Sequence, residues 1–285
     1  MQMRSGETAD LQDLYVRQDE RTDPGGLVDL YRDLPDTVPQ LRDIVSGLIV
    51  HVSWAERYGI PADVPLTRAT RPVADRLRLI EDSFPGSLTE ARPPLKRTFG
   101  TCRDYALLLC SMLRSRAIPA RVRCGFAAYL AADTYQDHWI CEYWSPGTMR
   151  WVQVDAQLDR PQVDQLGITF DCADLPPGAF ITAARAWLSA RDNSVAAEAF
   201  GHGGTTGFWF LSVNLHRDVL SLTNREVSAW DTWRDAPLTA KVLGTGALAE
   251  LDQLADAVTA FEDGSEQFAF LQEAASRNAI PPWLL

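Results

Sequence analysis

Apolar positions recur at helical spacing along the first third of the chain. Leu41, Ile44, Val45, Leu48 and Val52 fall on one face of a segment spanning about 41–58, which ends at Gly59 with Pro61 close behind. That pattern predicts an amphipathic helix with a glycine stop. Upstream, Thr22-Asp23-Pro24 places a capping side chain before a first-turn proline and predicts a helix start. Pro35 and Pro39 punctuate the chain between the two. A third helix is expected over about 72–83, closed by Phe84-Pro85-Gly86. Residues 1–90 thus read as a mostly helical N-terminal region.

The period changes over 91–170. Tyr105, Leu108, Leu109, Met112 and Leu113 mark the buried face of a helix that opens at Cys102 and runs to about Arg116. Three short strands follow, near 120–129, 138–144 and 150–156, with turn chemistry at Ser145-Pro146-Gly147-Thr148. A helix followed by antiparallel strands predicts an α+β core. From 171 to 285 the pattern is mostly helical again, entered through Pro176-Pro177-Gly178, with helical stretches near 211–227 and 248–258. The segment Gly201-His202-Gly203-Gly204-Thr205-Thr206-Gly207 is too rich in glycine for helix or strand and is expected to be a mobile loop.

Composition narrows the function. The 285 residues, 46% hydrophobic, can bury a substantial core. A net charge of −11 repels nucleic-acid phosphates and acidic membranes, so neither is an expected partner. No run approaches the roughly eighteen apolar residues of a membrane helix. The start, MQMRSGETADLQDLYVRQ, carries no apolar core of a signal peptide, so a cytoplasmic location is expected. The five cysteines are odd in number and unevenly spaced, which argues against a disulfide framework and a zinc ribbon. No metal or other cofactor is implied.

One of those cysteines is placed for chemistry. Cys102 falls three residues before Tyr105, in the first turn of its helix, where the helix dipole and free amides lower a thiol pKa. The same amides can form one arm of an oxyanion hole, and Gly100 just upstream admits a substrate backbone. Cys110 lies mid-helix, and Cys124 and Cys141 lie within strands, so these three read as small buried hydrophobes. Among His51, His138, His202 and His216, His138 opens one strand of a hairpin whose other strand ends at Asp155. A turn pairing Ser145 with Thr148, or Trp144 with Met149, sets His138 directly opposite Asp155 on one face. A loop one residue longer or shorter would put them on opposite faces. Cys102 as nucleophile, His138 as base and Asp155 as orienter make up a cysteine triad.

The residues also carry a resemblance. Gly100-Thr101-Cys102-Arg103-Asp104-Tyr105-Ala106, with Leu113 and then Ala117-Ile118-Pro119-Ala120-Arg121-Val122-Arg123-Cys124-Gly125-Phe126, resembles the core signature of bacterial transglutaminase-like proteins. Asp137-His138-Trp139 and Trp151-Val152-Gln153-Val154-Asp155 are similar to that family's second and third blocks, in the same order. The resemblance covers about 98–156. It implies a papain-like α+β fold, with a Cys-bearing helix on an antiparallel sheet, and matches Cys102, His138 and Asp155 to the catalytic positions. The family includes acyltransferases, peptidases and other amide hydrolases, along with inactive members, so membership does not fix the reaction. No calcium-loop pattern of alternating Asp and Asn is present.

Other residues carry weaker signals. Asp104 reads as a helix-dipole partner, and His51 and Trp54 as packing residues. Trp139 is a candidate cleft wall, although its strand position points away from the face of His138. His202, on a segment that could cover a cleft, and Trp209, in the aromatic and polar run 208–218, are candidate substrate contacts alongside Gly100. As a helix that run reads better as ordinary amphipathic packing. Three functions follow: an amidase or peptidase resolving a thioester with water, an acyltransferase resolving it with an amine acceptor, or a catalytically silent binding module. The complete triad speaks against the last. The expected substrate is a peptide or small amide.

Overall fold

A computed structural model of the protein describes residues 12–68, 71–225, 232–264 and 266–276. In chain order the elements are α1 (Val38–Leu48), β1 (Ile49–His51), α2 (Val73–Ser83), β2 (Thr98–Gly100), α3 (Cys102–Ser115), β3 (Ala120–Ala127), β4 (Tyr135–Ser145) and β5 (Arg150–Val154). There follow α4 (Arg160–Leu166), β6 (Phe180–Thr182), α5 (Ala183–Arg191), β7 (Phe200–His202), β8 (Thr205–Thr206), α6 (Phe208–Leu222), α7 (Thr245–Glu262) and α8 (Phe268–Ser276). This mixture of helices and sheet is the α+β class that the sequence anticipates. Among the described residues no helix is long and apolar enough to cross a membrane.

The chain divides into two units. One holds the described residues 12–122 together with Ile140–Leu175. Its centre is α3, on which every residue from Cys102 to Arg114 is buried, so the helix is enclosed all round rather than amphipathic at a surface. Helices α1 and α2 pack against it. Three polar ends inside this packing find partners: Tyr31 Oη and Ser111 Oγ are 2.8 Å apart, Tyr105 Oη donates to Ile49 O at 3.0 Å, and Arg114 Nε donates to Ala120 O at 2.9 Å.

Two local expectations fail here. The helix expected over 41–58 breaks after Leu48, where Ile49–His51 forms a parallel pair with Thr98–Gly100. The chain then resumes as a 3-10 helix, Val52–Tyr58, which does end at Gly59 with φ 71°. The β-branched Ile49 and Val50 fit a strand better than a helix, and a distant partner strand decides the matter. Thr22-Asp23-Pro24 does not cap an α-helix either. Asp23 Oδ1 accepts from Gly25 N at 2.7 Å, a local turn, and Pro24 precedes a 3-10 helix over Gly25–Tyr31.

The hairpin register also differs from expectation. Ser145 pairs with Arg150, Trp144 with Trp151 and Cys141 with Val154. The loop is Pro146-Gly147-Thr148-Met149. Pro146 has no N–H for the ladder, and Met149 turns the chain with a left-handed backbone at φ 52°. Asp155 therefore lies one step past the last pair, level with Ile140 rather than opposite His138. The slip is two residues, so Ile140 and His138 still alternate to the same side of β4.

The other unit holds Arg123–Trp139 and the chain from Pro176 on. Its sheet has strand order β6-β3-β4-β7-β8. Gly125 pairs with Thr182 antiparallel and Tyr135 with Phe200 in parallel. The glycine-rich segment expected to be a mobile loop is a hairpin, with His202 paired to Thr205. Gly203 and Gly204 take φ of 54° and 85°, the two consecutive positive values that a tight two-residue hairpin turn requires. Helix α5 packs on α6 and α7. Beneath them Arg123 makes a two-pronged pair with Asp218, Nε to Oδ1 at 2.9 Å and Nη2 to Oδ2 at 2.7 Å, and also contacts Glu262. Helix α6 covers most of the expected 211–227 stretch, whose Glu226 and Val227 lie outside the described residues.

Candidate functional site

Cys102 is the first residue of α3, as its spacing predicts, and is 5% exposed. The turn holding it is built by Asp104. One carboxylate oxygen, Oδ2, accepts from Thr101 N at 2.7 Å and Thr101 Oγ1 at 3.2 Å, a reach-back from the third helical residue. The other oxygen pairs with Arg76 Nη2 at 2.5 Å, and both side chains are almost fully buried. Arg76 Nη1 also donates to Phe99 O at 2.7 Å. Gly100 fits against this carboxylate: a Cβ there would stand 2.7 Å from Asp104 Oδ2. The first-turn amides that this arrangement orders are the ones able to stabilise an oxyanion.

Asp155 lies in the same unit and is buried. It sits just beyond β5 because its N–H leaves the ladder and donates to Cys172 O at 2.9 Å. Its Oδ1 accepts from Gln157 N at 2.8 Å, and its carbonyl accepts from Arg42 Nε at 3.1 Å. The following residues are fixed by Asp159, which accepts from Gln162 N at 3.3 Å, from Arg97 Nη1 at 3.1 Å and from the Tyr58 hydroxyl.

His138 belongs to the other unit, on the part of β4 that precedes Ile140. It is 1% exposed, with the half-buried Tyr129 ring edge-on at 6.0 Å between centroids. Its neighbour Asp137 accepts from Asn214 Nδ2 at 2.9 Å, which ties this part of β4 to α6.

All five cysteines are free thiols and all are buried. Burial pushes the Cys141 thiol well above the ordinary range, and contact with Cys110 adds to the effect. Burial also raises Cys172, with Arg42 opposing. Raised thiols are poor nucleophiles at neutral pH.

The remaining candidates are dispersed. Trp139 is buried on β4. His202 is half-buried on β7, edge-on to Trp233 at 6.4 Å. Trp209 is buried near the start of α6, with Lys241 Nζ 4.8 Å from its ring centroid. Sequence reasoning missed Arg76 and Arg42. Arg76 did leave a signal, being an arginine inside the apolar stripe Val73, Leu77, Ile80 of α2. Arg42, beside Leu41 on α1, left none.

Residues 67–156, which include Cys102, His138 and Asp155, match the family model of the transglutaminase-like superfamily core. Among solved structures, a candidate cysteine protease from Cytophaga hutchinsonii is 15% identical with a TM-score of 0.35, the match covering 60% of this chain and 45% of that one. Red sea bream transglutaminase is 16% identical with a TM-score of 0.30, over 57% of this chain and 30% of its own. The chain thus spans less than half the length of either. No curated protein sequence matches it. The likeness to the transglutaminase-like superfamily core is thus carried by residues 67–156, the segment that holds Cys102, His138 and Asp155.

Proposed function

We propose that the protein cleaves or transfers an amide-type acyl group through a thioester on Cys102. His138 takes the thiol proton, and the thiolate attacks the substrate carbonyl while first-turn amides of α3 receive the developing oxyanion. The imidazolium then protonates the departing amine as the thioester forms. Water or a second amine, deprotonated by His138, displaces the sulfur and returns the thiol. Asp155 keeps the imidazole in the required tautomer and stabilises its charged form. The observation that carries this reading is Cys102 at the N-terminus of α3, inside the superfamily segment. Hydrolysis and transfer use the same residues. The substrate is a peptide or small amide, and five free thiols suit a reducing compartment such as the cytoplasm.

The test is intact-mass analysis of the protein incubated with a panel of peptides and amides, with and without a primary amine. An acyl adduct confined to Cys102 is expected, and its loss to water or amine separates hydrolase from transferase. Cys102→Ala should stay folded and form neither adduct nor product. Full turnover by that variant would remove the mechanism.

A further inference from the structure

We propose that Arg76 is a positioning residue for the Cys102 thiolate, acting through Asp104; this rests on the reading of Cys102 as nucleophile. The capping carboxylate creates a conflict at the start of α3. It orders the turn by accepting from Thr101 N at 2.7 Å. Yet it is a negative charge two residues from the thiol, in a buried site where Coulomb effects are strong, and it opposes the thiolate that the helix N-terminus favours. Arg76 resolves the conflict. Its Nη2 neutralises Asp104 at 2.5 Å, and its Nη1 holds Phe99 O at 2.7 Å. One guanidinium thus grips the strand entering Gly100-Thr101-Cys102 and the helix leaving it. A lysine has one point charge and no fork, so it cannot make both contacts in the same geometry.

The effect is read from the pH dependence of Cys102 alkylation by iodoacetamide, quantified peptide by peptide in the full chain. Arg76→Met leaves the carboxylate uncompensated and should move the Cys102 profile upward by about one unit, slowing labelling at pH 7 about tenfold. Asp104→Asn leaves the guanidinium uncompensated and should move the profile the other way. The double variant, with both charges removed, should return it toward the wild-type position. A packing defect alone would not produce shifts of opposite sign. Should Arg76→Met not fold, Asp104→Asn and Arg76→Lys carry the test: the first should lower the profile, and the second should keep the charge yet label more slowly than wild type. Profiles unchanged in the folded single variants would overturn the proposal. Failure of the underlying reading looks different: in the wild-type protein Cys102 would then label no faster than Cys172, which is similarly exposed at 7%.

Discussion

Replacing Gly100 by alanine tests how the start of α3 is built. Nothing in the backbone forbids the change, since Gly100 is not among the glycines with positive φ. The obstacle is a side chain. The new Cβ would lie 2.7 Å from Asp104 Oδ2, 3.0 Å from Cγ and 3.1 Å from Cβ. The carboxylate is fixed on both sides, by Thr101 N and by Arg76, so it cannot swing away without loss. Losing a helix cap costs about 0.5–2 kcal/mol, and fully breaking a buried ion pair about 3–5 kcal/mol. Alanine displaces the carboxylate rather than deleting it, so a loss of about 1–3 kcal/mol is expected, above the capping minimum and short of full rupture. The measurement is urea unfolding, read as a shift in midpoint at unchanged slope. Gly147→Ala serves as control, since a Cβ there meets nothing within 4 Å, and it should stay within about 0.5 kcal/mol of wild type. Equal stability of the two variants, with Cys102 labelling unaltered in Gly100→Ala, would refute the account of Gly100 as the space for the Asp104 carboxylate.

Asp155→Asn should leave the protein folded and lower turnover by orders of magnitude, because the amide favours the wrong tautomer of the base; a change below about threefold, measured as kcat/KM, would remove Asp155 as orienter. Asp218→Ala should cost about 3–5 kcal/mol in urea unfolding, since Arg123 stays buried with one carboxylate partner removed, and a loss under about 1 kcal/mol would contradict the network. His216 is held below the usual histidine range by burial, although its hydrogen bond to Ser212 O at 2.7 Å opposes this. The folded state therefore resists protonation, and the stability His216 contributes is complete above pH 6.5 and declines as pH falls below it. His216→Gln should flatten thermal stability between pH 7 and 5 relative to wild type; an equally steep loss in that variant would assign the dependence elsewhere.

Elements whose signals are local were legible in the sequence. Helix α2 starts after Pro72 and stops before Phe84-Pro85-Gly86, and α3 follows its apolar spacing from Cys102. The strands β3, β4 and β5 lie where alternation and the Ser145-Pro146-Gly147 turn put them. What escaped depends on partners far along the chain. Ile49–His51 is a strand only because Thr98–Gly100 lies beside it. The run GHGGTTG mimics a flexible loop in composition, and only the backbone angles of Gly203 and Gly204 make it a hairpin. Arg76 reads as a misplaced charge on an apolar face until Asp104 is seen opposite it.

The two-residue slip in the β4–β5 hairpin changes what places the Asp155 carboxylate. In the register expected from the turn, strand pairing itself would have set Asp155 against His138, and the alternation of β5 would have been enough. In the observed register pairing ends at Val154, and Asp155 is held from three other directions: Cys172 O on its amide, Arg42 Nε on its carbonyl and Gln157 N on its Oδ1. Each of these is a hydrogen bond to a buried or half-buried group, which costs more to lose than it contributes when made. Two of the three come from segments outside the hairpin, α1 and the chain around Cys172. Asp155 is thus set by an α1 side chain and by loop contacts rather than by ladder pairing, and neither hydrophobic period nor turn chemistry reports such contacts, because both describe only neighbours along the chain.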